Sequence, residues 1–139
     1  MKKILFFILL MVFCTSHAQM KAEDVQTFTL KNGMKFLVVE DFSIPNANMY
    51  LFYKVGSRNE YQGITGLSHF FEHMMFQGSD NVADEAHFKI VTESGGTLNG
   101  STNRDRTNYY QTVPNNQLES MLWLEADRMG FLLDAVTQE

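Results

Sequence analysis

Ala47, Met49, Leu51, Tyr53 and Val55 alternate with Asn48, Tyr50, Phe52 and Lys54. Apolar residues at every second position predict a strand with one core face. Tyr50 and Phe52 predict that its other face is partly covered as well. Val25 to Leu30 and Met34 to Glu40 are rich in strand formers and flank Asn32-Gly33, which predicts a hairpin. Thr97 to Thr102 and Thr107 to Val113 predict two more strands, joined by the charged turn Asn103-Arg104-Asp105-Arg106.

Three stretches carry helical spacing instead. One runs from Leu67 to Phe76 and stops near Gly78, a residue suited to end a helix. A second runs from Asp84 to Glu93 and ends at Gly95-Gly96. The third follows Pro114, with Asn116 and Glu119 as a capping box. It sets Leu118, Met121, Leu122, Met129, Leu132, Leu133 and Val136 at spacings of three and four. Hairpin strands with helices predict an α+β architecture, an antiparallel sheet with helices packed on it. No repeat or linker divides the chain.

The first residues follow a different logic. Lys2 and Lys3 precede an unbroken apolar run from Ile4 to Phe13, and Ser16 and Ala18 are small residues two apart. This is the layout of a secretory signal peptide over residues 1–18, and its apolar run from Ile4 to Phe13 is too short to span a bilayer. A bacterial-type signal predicts an exported product, periplasmic or secreted, with no stable membrane insertion after cleavage. Removing it leaves 121 of the 139 residues and takes away the single cysteine, Cys14. The two lysines go with it, so the net charge of -5 becomes -7. That acidity argues against nucleic-acid binding.

The chemistry lies in His69-Phe70-Phe71-Glu72-His73. On a helix, residues four apart lie about 40° from each other and residues three apart about 60°. His69, Glu72 and His73 therefore share one narrow face. Two imidazoles so placed can reach one Zn²⁺, with the carboxylate beside a water on it. Leu67, Phe70, Phe71, Met74, Met75 and Phe76 surround the triplet, which predicts a buried helix. Ionisable groups there require a partner such as a metal. His87, beside Asp84 and Glu85, reads as a surface histidine. Glu119, Asp127 and Asp134 read as solvated helix charges. Glu125 falls on the apolar stripe, so it is expected to be buried with a partner such as Arg128 or a backbone donor.

His-x-x-Glu-His is the inverzincin signature. The stretch Gly66-Leu67-Ser68-His69-Phe70-Phe71-Glu72-His73-Met74-Met75-Phe76-Gln77-Gly78-Ser79 resembles that of the pitrilysin/insulinase family of zinc peptidases. Gly56-Ser57-Arg58, Ser94 to Thr102, Thr107 to Tyr110 and Leu122 to Met129 resemble the family in register and order. The resemblance implies a pitrilysin- or mitochondrial-processing-peptidase-like fold and a zinc endopeptidase. In it His69 and His73 are metal ligands and Glu72 is the general base. Extended peptides would add to the edge strand 97–102, with Asn99, Gly100 and Ser101 as substrate-binding residues. Gly100 stands where the family often has alanine.

A catalytic zinc site takes three protein ligands, and this chain offers two. The family's third is a glutamate on a later helix, expected beyond Glu139. Residues 19–139 are therefore expected to be the N-terminal part of a peptidase domain, incomplete at its C-terminus and inactive alone. Its expected partners are peptide substrates and either further domains or a second family subunit. Two other classes fit the same residues. A non-catalytic relative serving as a peptide-binding or structural subunit would lack the third ligand altogether. A metal-independent binding module would keep its stability in the presence of chelators.

Overall fold

A computed structural model of the protein describes residues 24–132 and 134. The predicted signal peptide lies outside the described residues, as do Leu133 and Val136 of the predicted last helix. Among the described residues no helix is long and apolar enough to cross a membrane.

The chain divides between Ser43 and Ile44 into two compact units. The first contains the predicted hairpin. Strand β1 (Gln26–Thr29) pairs antiparallel with β2 (Lys35–Val38), Thr29 opposite Lys35. The Leu30 carbonyl accepts from Gly33 N–H, and Leu30 N–H donates to the Met34 carbonyl, each at 2.9 Å. The loop is therefore Lys31-Asn32-Gly33 rather than a two-residue turn. Gly33 takes φ +88° at its left-handed position.

The second unit begins with β3 (Asn46–Tyr53) and continues through helices α1 (Leu67–Met74) and α2 (Ala86–Glu93). Strands β4 (Thr97–Thr102) and β5 (Thr107–Pro114) follow, then helix α3 (Leu118–Phe131). The sheet runs β3-β5-β4, antiparallel throughout, with Gly100 opposite Tyr109 and Thr102 opposite Thr107. Period two then sorts the side chains. Ala47 and Met49 of β3, Leu98 of β4 and Val113 of β5 join Ala86 and Val91 of α2 and Met121 and Leu124 of α3 in one apolar core. The opposite face is open: Tyr50 stacks on Tyr110 at 5.6 Å yet stays 61% exposed, and Phe52 is exposed too. Among its described residues, this unit does not itself supply the cover predicted there.

The helices differ from expectation in which faces they bury. In α3 the buried positions are Met121, Leu124, Glu125, Asp127 and Arg128, whereas Leu118, Leu122 and Met129 are exposed. A count of apolar residues alone misplaces the stripe, because polar partners complete the buried face. Glu125 pairs with Arg128 as expected. Asp127, read as solvated, is 4% exposed and accepts from Ser79 Oγ and from Asn81 Nδ2, the latter at 2.7 Å. It ties α3 to the loop after α1. The capping box on Asn116 is also absent. A short 3₁₀ turn (Asn115–Gln117) leads into α3 with no side-chain cap.

Candidate active site

Helix α1 starts on Gly66, at φ +89°. Its free N–H groups meet a carboxylate from the preceding loop. Glu60 Oε2 accepts from Gly66 N–H at 2.8 Å and Oε1 from Ser68 N–H at 2.7 Å. These satisfy two of the orphan donors of the first turn, where the helix dipole favours negative charge. The same backbone hydrogen bonds hold the Glu60 carboxyl below its ordinary range. The loop is itself pinned to the β4–β5 turn, with Ser57 N–H on the Asn103 carbonyl at 3.0 Å and Arg58 N–H on that of Arg104 at 2.9 Å. A Cβ at Gly56 would lie 2.2 Å from the Asn103 oxygen, so only glycine permits this approach. Glu60 caps the helix that carries the motif, a contact that the motif alone does not reveal. Its signal in the sequence is a carboxylate shortly before a glycine that opens a helix.

The helix is not buried as its apolar residues predicted. Leu67, Phe70 and Phe71 are exposed, Phe70 at 58%. What α1 turns inward is Glu72, 6% exposed, with Phe76 four residues on. His69 and His73 stand at the surface, rings tilted with centroids 4.7 Å apart. Their Nε2 atoms converge to 3.1 Å. Two nitrogens on one tetrahedral zinc, each about 2.0–2.1 Å from it, are separated by roughly 3.3 Å. The histidine pair thus fits two vertices of a zinc site. Among the described residues no group of three or more His, Cys, Asp or Glu could complete it.

Glu72 lies beside the pair, with Oε2 4.0 Å from His69 Nε2. Strand β4 touches both of its carboxylate oxygens. Thr102 Oγ1 donates to Oε2 at 2.8 Å, and a Cβ at Gly100 would sit 2.8 Å from Oε1. Gly100 is therefore part of the seat of Glu72, besides its predicted place on the substrate strand. Asn99 is exposed, and its Oδ1 accepts the N–H of Gly100 at 2.8 Å. Ser101 Oγ donates to Asn108 Oδ1 at 2.7 Å, across the β4–β5 pair. Period two places Asn99 and Ser101 on the face away from Glu72. The strand bearing all of them has one unpaired side among the described residues, which is the form that accepts an added strand.

His87 departs furthest from expectation. It is 2% exposed, edge-on to Phe76 at 6.1 Å. Burial chiefly, with help from the Arg128 charge and against that of Asp127, depresses its pKa from 6.5 to about 4. The neighbouring Asp84 and Glu85 suggested a solvated helix. Yet α2 presents His87 with Val91 inward, four residues apart.

The helix carries His-x-x-Glu-His, the inverzincin signature, beside a strand with one side unpaired among the described residues. The family model for the insulinases (peptidase family M16) matches residues 35–131, and the chain belongs to that family. It is 36% identical over 122 residues to the zinc protease PqqE of Helicobacter pylori, covering 84% of this chain and 26% of that protein. It is 32% identical over 108 residues to a probable mitochondrial-processing peptidase subunit beta of Arabidopsis thaliana, covering 78% and 20%. The crystal structure of pitrilysin superposes with a TM-score of 0.72 at 28% identity, over 83% of this chain and 13% of that one. The antiparallel sheet with packed helices is thus the pitrilysin-like fold in part. The chain spans about a quarter or less of the length of these relatives.

Proposed function

We propose that this chain is the N-terminal part of an exported zinc endopeptidase that hydrolyses extended peptides. The observation that carries the reading is the convergence of His69 and His73 Nε2 to 3.1 Å beside the buried Glu72 carboxylate. The two histidines would hold zinc, and a third protein ligand would come from outside residues 1–139. When bound, the ion supplies a Lewis acid that polarises a carbonyl and lowers the pKa of water.

Glu72 takes the proton of the attacking water and returns it to the leaving amine. Its burial against β4 keeps it in one place between these two transfers. Strand β4 receives the peptide main chain along Asn99, Gly100 and Ser101, giving affinity with modest sequence demand. Further domains or a second family subunit close over the bound peptide. The export signal over residues 1–18 delivers the enzyme to the periplasm or the medium.

The test compares residues 19–139 alone with the whole protein. The isolated stretch binds zinc weakly and does not turn over. The whole protein binds one zinc per active site and cleaves unfolded peptides, loses both on chelation, and regains both with zinc. Cleavage that survives removal of the metal would refute the reading. So would tight zinc and full activity in residues 19–139 alone.

A further inference from the structure

We propose that Thr102 is the positioning residue of Glu72, fixing the carboxylate by a hydrogen bond from the substrate strand itself. The proposal rests on the reading of Glu72 as general base. A buried glutamate on a helix has several rotatable bonds, and something must choose its orientation. Here Oε1 is set against Gly100 and Oε2 against Thr102, both on the helix-facing side of β4. An ionised carboxylate can only accept, so the Thr102 hydroxyl must donate.

That hydroxyl is held in turn. Thr107, its partner across the strands, lies 3.2 Å away, Oγ1 to Oγ1. Thr107 has one proton to give, either to Thr102 Oγ1 or to the Val55 carbonyl 3.0 Å away; with the Thr102 proton on Glu72, Thr107 is the donor of the bond between the two threonines. Threonine's branched Cβ restricts χ1 and so the position of Oγ1, which steadies the row Thr107–Thr102–Glu72. Thr102 closes the last cross-strand pair before the turn at Asn103. It is thus on the strand that would receive substrate, but outside the stretch of residues 99–101. A peptide added to β4 and the base that serves it are referenced to the same strand.

The consequence is a change in turnover without a change in binding. In the full-length enzyme, Thr102→Val keeps the side-chain shape and removes the donor. Loss of a hydrogen bond to a charged group predicts a kcat lower by about tenfold to a hundredfold. KM stays within about twofold and zinc content is unchanged. Thr102→Ser restores the donor and most of kcat. A second readout needs no activity. In the zinc-free protein, Thr102→Val lowers the denaturation midpoint, but has no such effect in a Glu72→Leu background.

Wild-type kcat in Thr102→Val overturns the proposal. So does a loss that Thr102→Ser shares, or an equal midpoint shift in both backgrounds. If Glu72→Gln itself leaves cleavage intact, the reading of Glu72 fails, and the proposal falls with it. The Glu72→Gln control thus separates the two failures.

Discussion

Arg128 Nε donates to Glu125 Oε2 at 2.9 Å inside the protein, one helical turn apart on α3. The guanidinium also lies over the Tyr109 ring at 4.2 Å and the Phe76 ring at 5.4 Å. Gln111 Nε2 donates to the same carboxylate. Removing one partner leaves a buried charge uncompensated. Glu125→Leu is therefore expected to cost about 3–5 kcal/mol. Adding Arg128→Met should recover most of that loss, because the second change removes the stranded charge. Denaturant midpoints of the two single variants and the double variant measure the coupling. A double variant as unstable as Glu125→Leu would place the loss in packing instead.

His87 makes stability depend on pH in a defined window. Above pH 6.5 the imidazole is neutral in both folded and unfolded chains. Between 6.5 and about 4 the unfolded chain takes up a proton that the folded one refuses. Stability therefore falls as pH falls through this window, by roughly 3 kcal/mol in all. Below about 4 both states are protonated and this contribution stops changing. Denaturation of the wild type and of His87→Leu at pH 7 and pH 5 isolates the effect. The wild type should lose more stability than the variant, and equal losses would contradict the assignment.

Glu60 predicts a pH dependence of the same sign, in a more acidic window. Its two backbone hydrogen bonds favour the ionised carboxyl and hold its pKa below 4.5. The stabilisation is present above that value and lost as pH falls through the depressed pKa. Glu60→Gln should lower the melting temperature at pH 7 and converge with the wild type in strong acid. Because the carboxylate caps the helix bearing His69 and His73, zinc affinity should fall several-fold as well. A variant with unchanged melting temperature at pH 7 would remove Glu60 from this role.

These residues also mark how far the sequence is legible. A period-two pattern places β3 to within two residues, because a half-exposed strand writes its two faces in its composition, and β4 and β5 also lie within one residue of the predicted stretches. The motif places His69, Glu72 and His73 together, because helical geometry alone does so. Faces of helices are harder to read. In α3 the inward side includes Glu125, Asp127 and Arg128, which form hydrogen bonds among themselves or with Ser79, Asn81 and Gln111. In α1 the aromatic residues turn outward and the glutamate inward, because the sheet offers Thr102 and Gly100 where Glu72 needs a seat. His87 is buried by Phe76, a neighbour distant enough in sequence to leave no local sign. Partners of this kind are tertiary, and a one-dimensional pattern carries none of them.

The central claim is that Glu72 acts on the attacking water while His69 and His73 hold the metal. The most direct measurement is Glu72→Gln in the full-length protein, assayed for zinc content and for cleavage of an unfolded peptide. The amide keeps the size of the side chain and still accepts from Thr102, but it takes up no proton. The account predicts wild-type zinc content with cleavage lower by about a thousandfold. Cleavage at the wild-type rate by the zinc-loaded variant would contradict it.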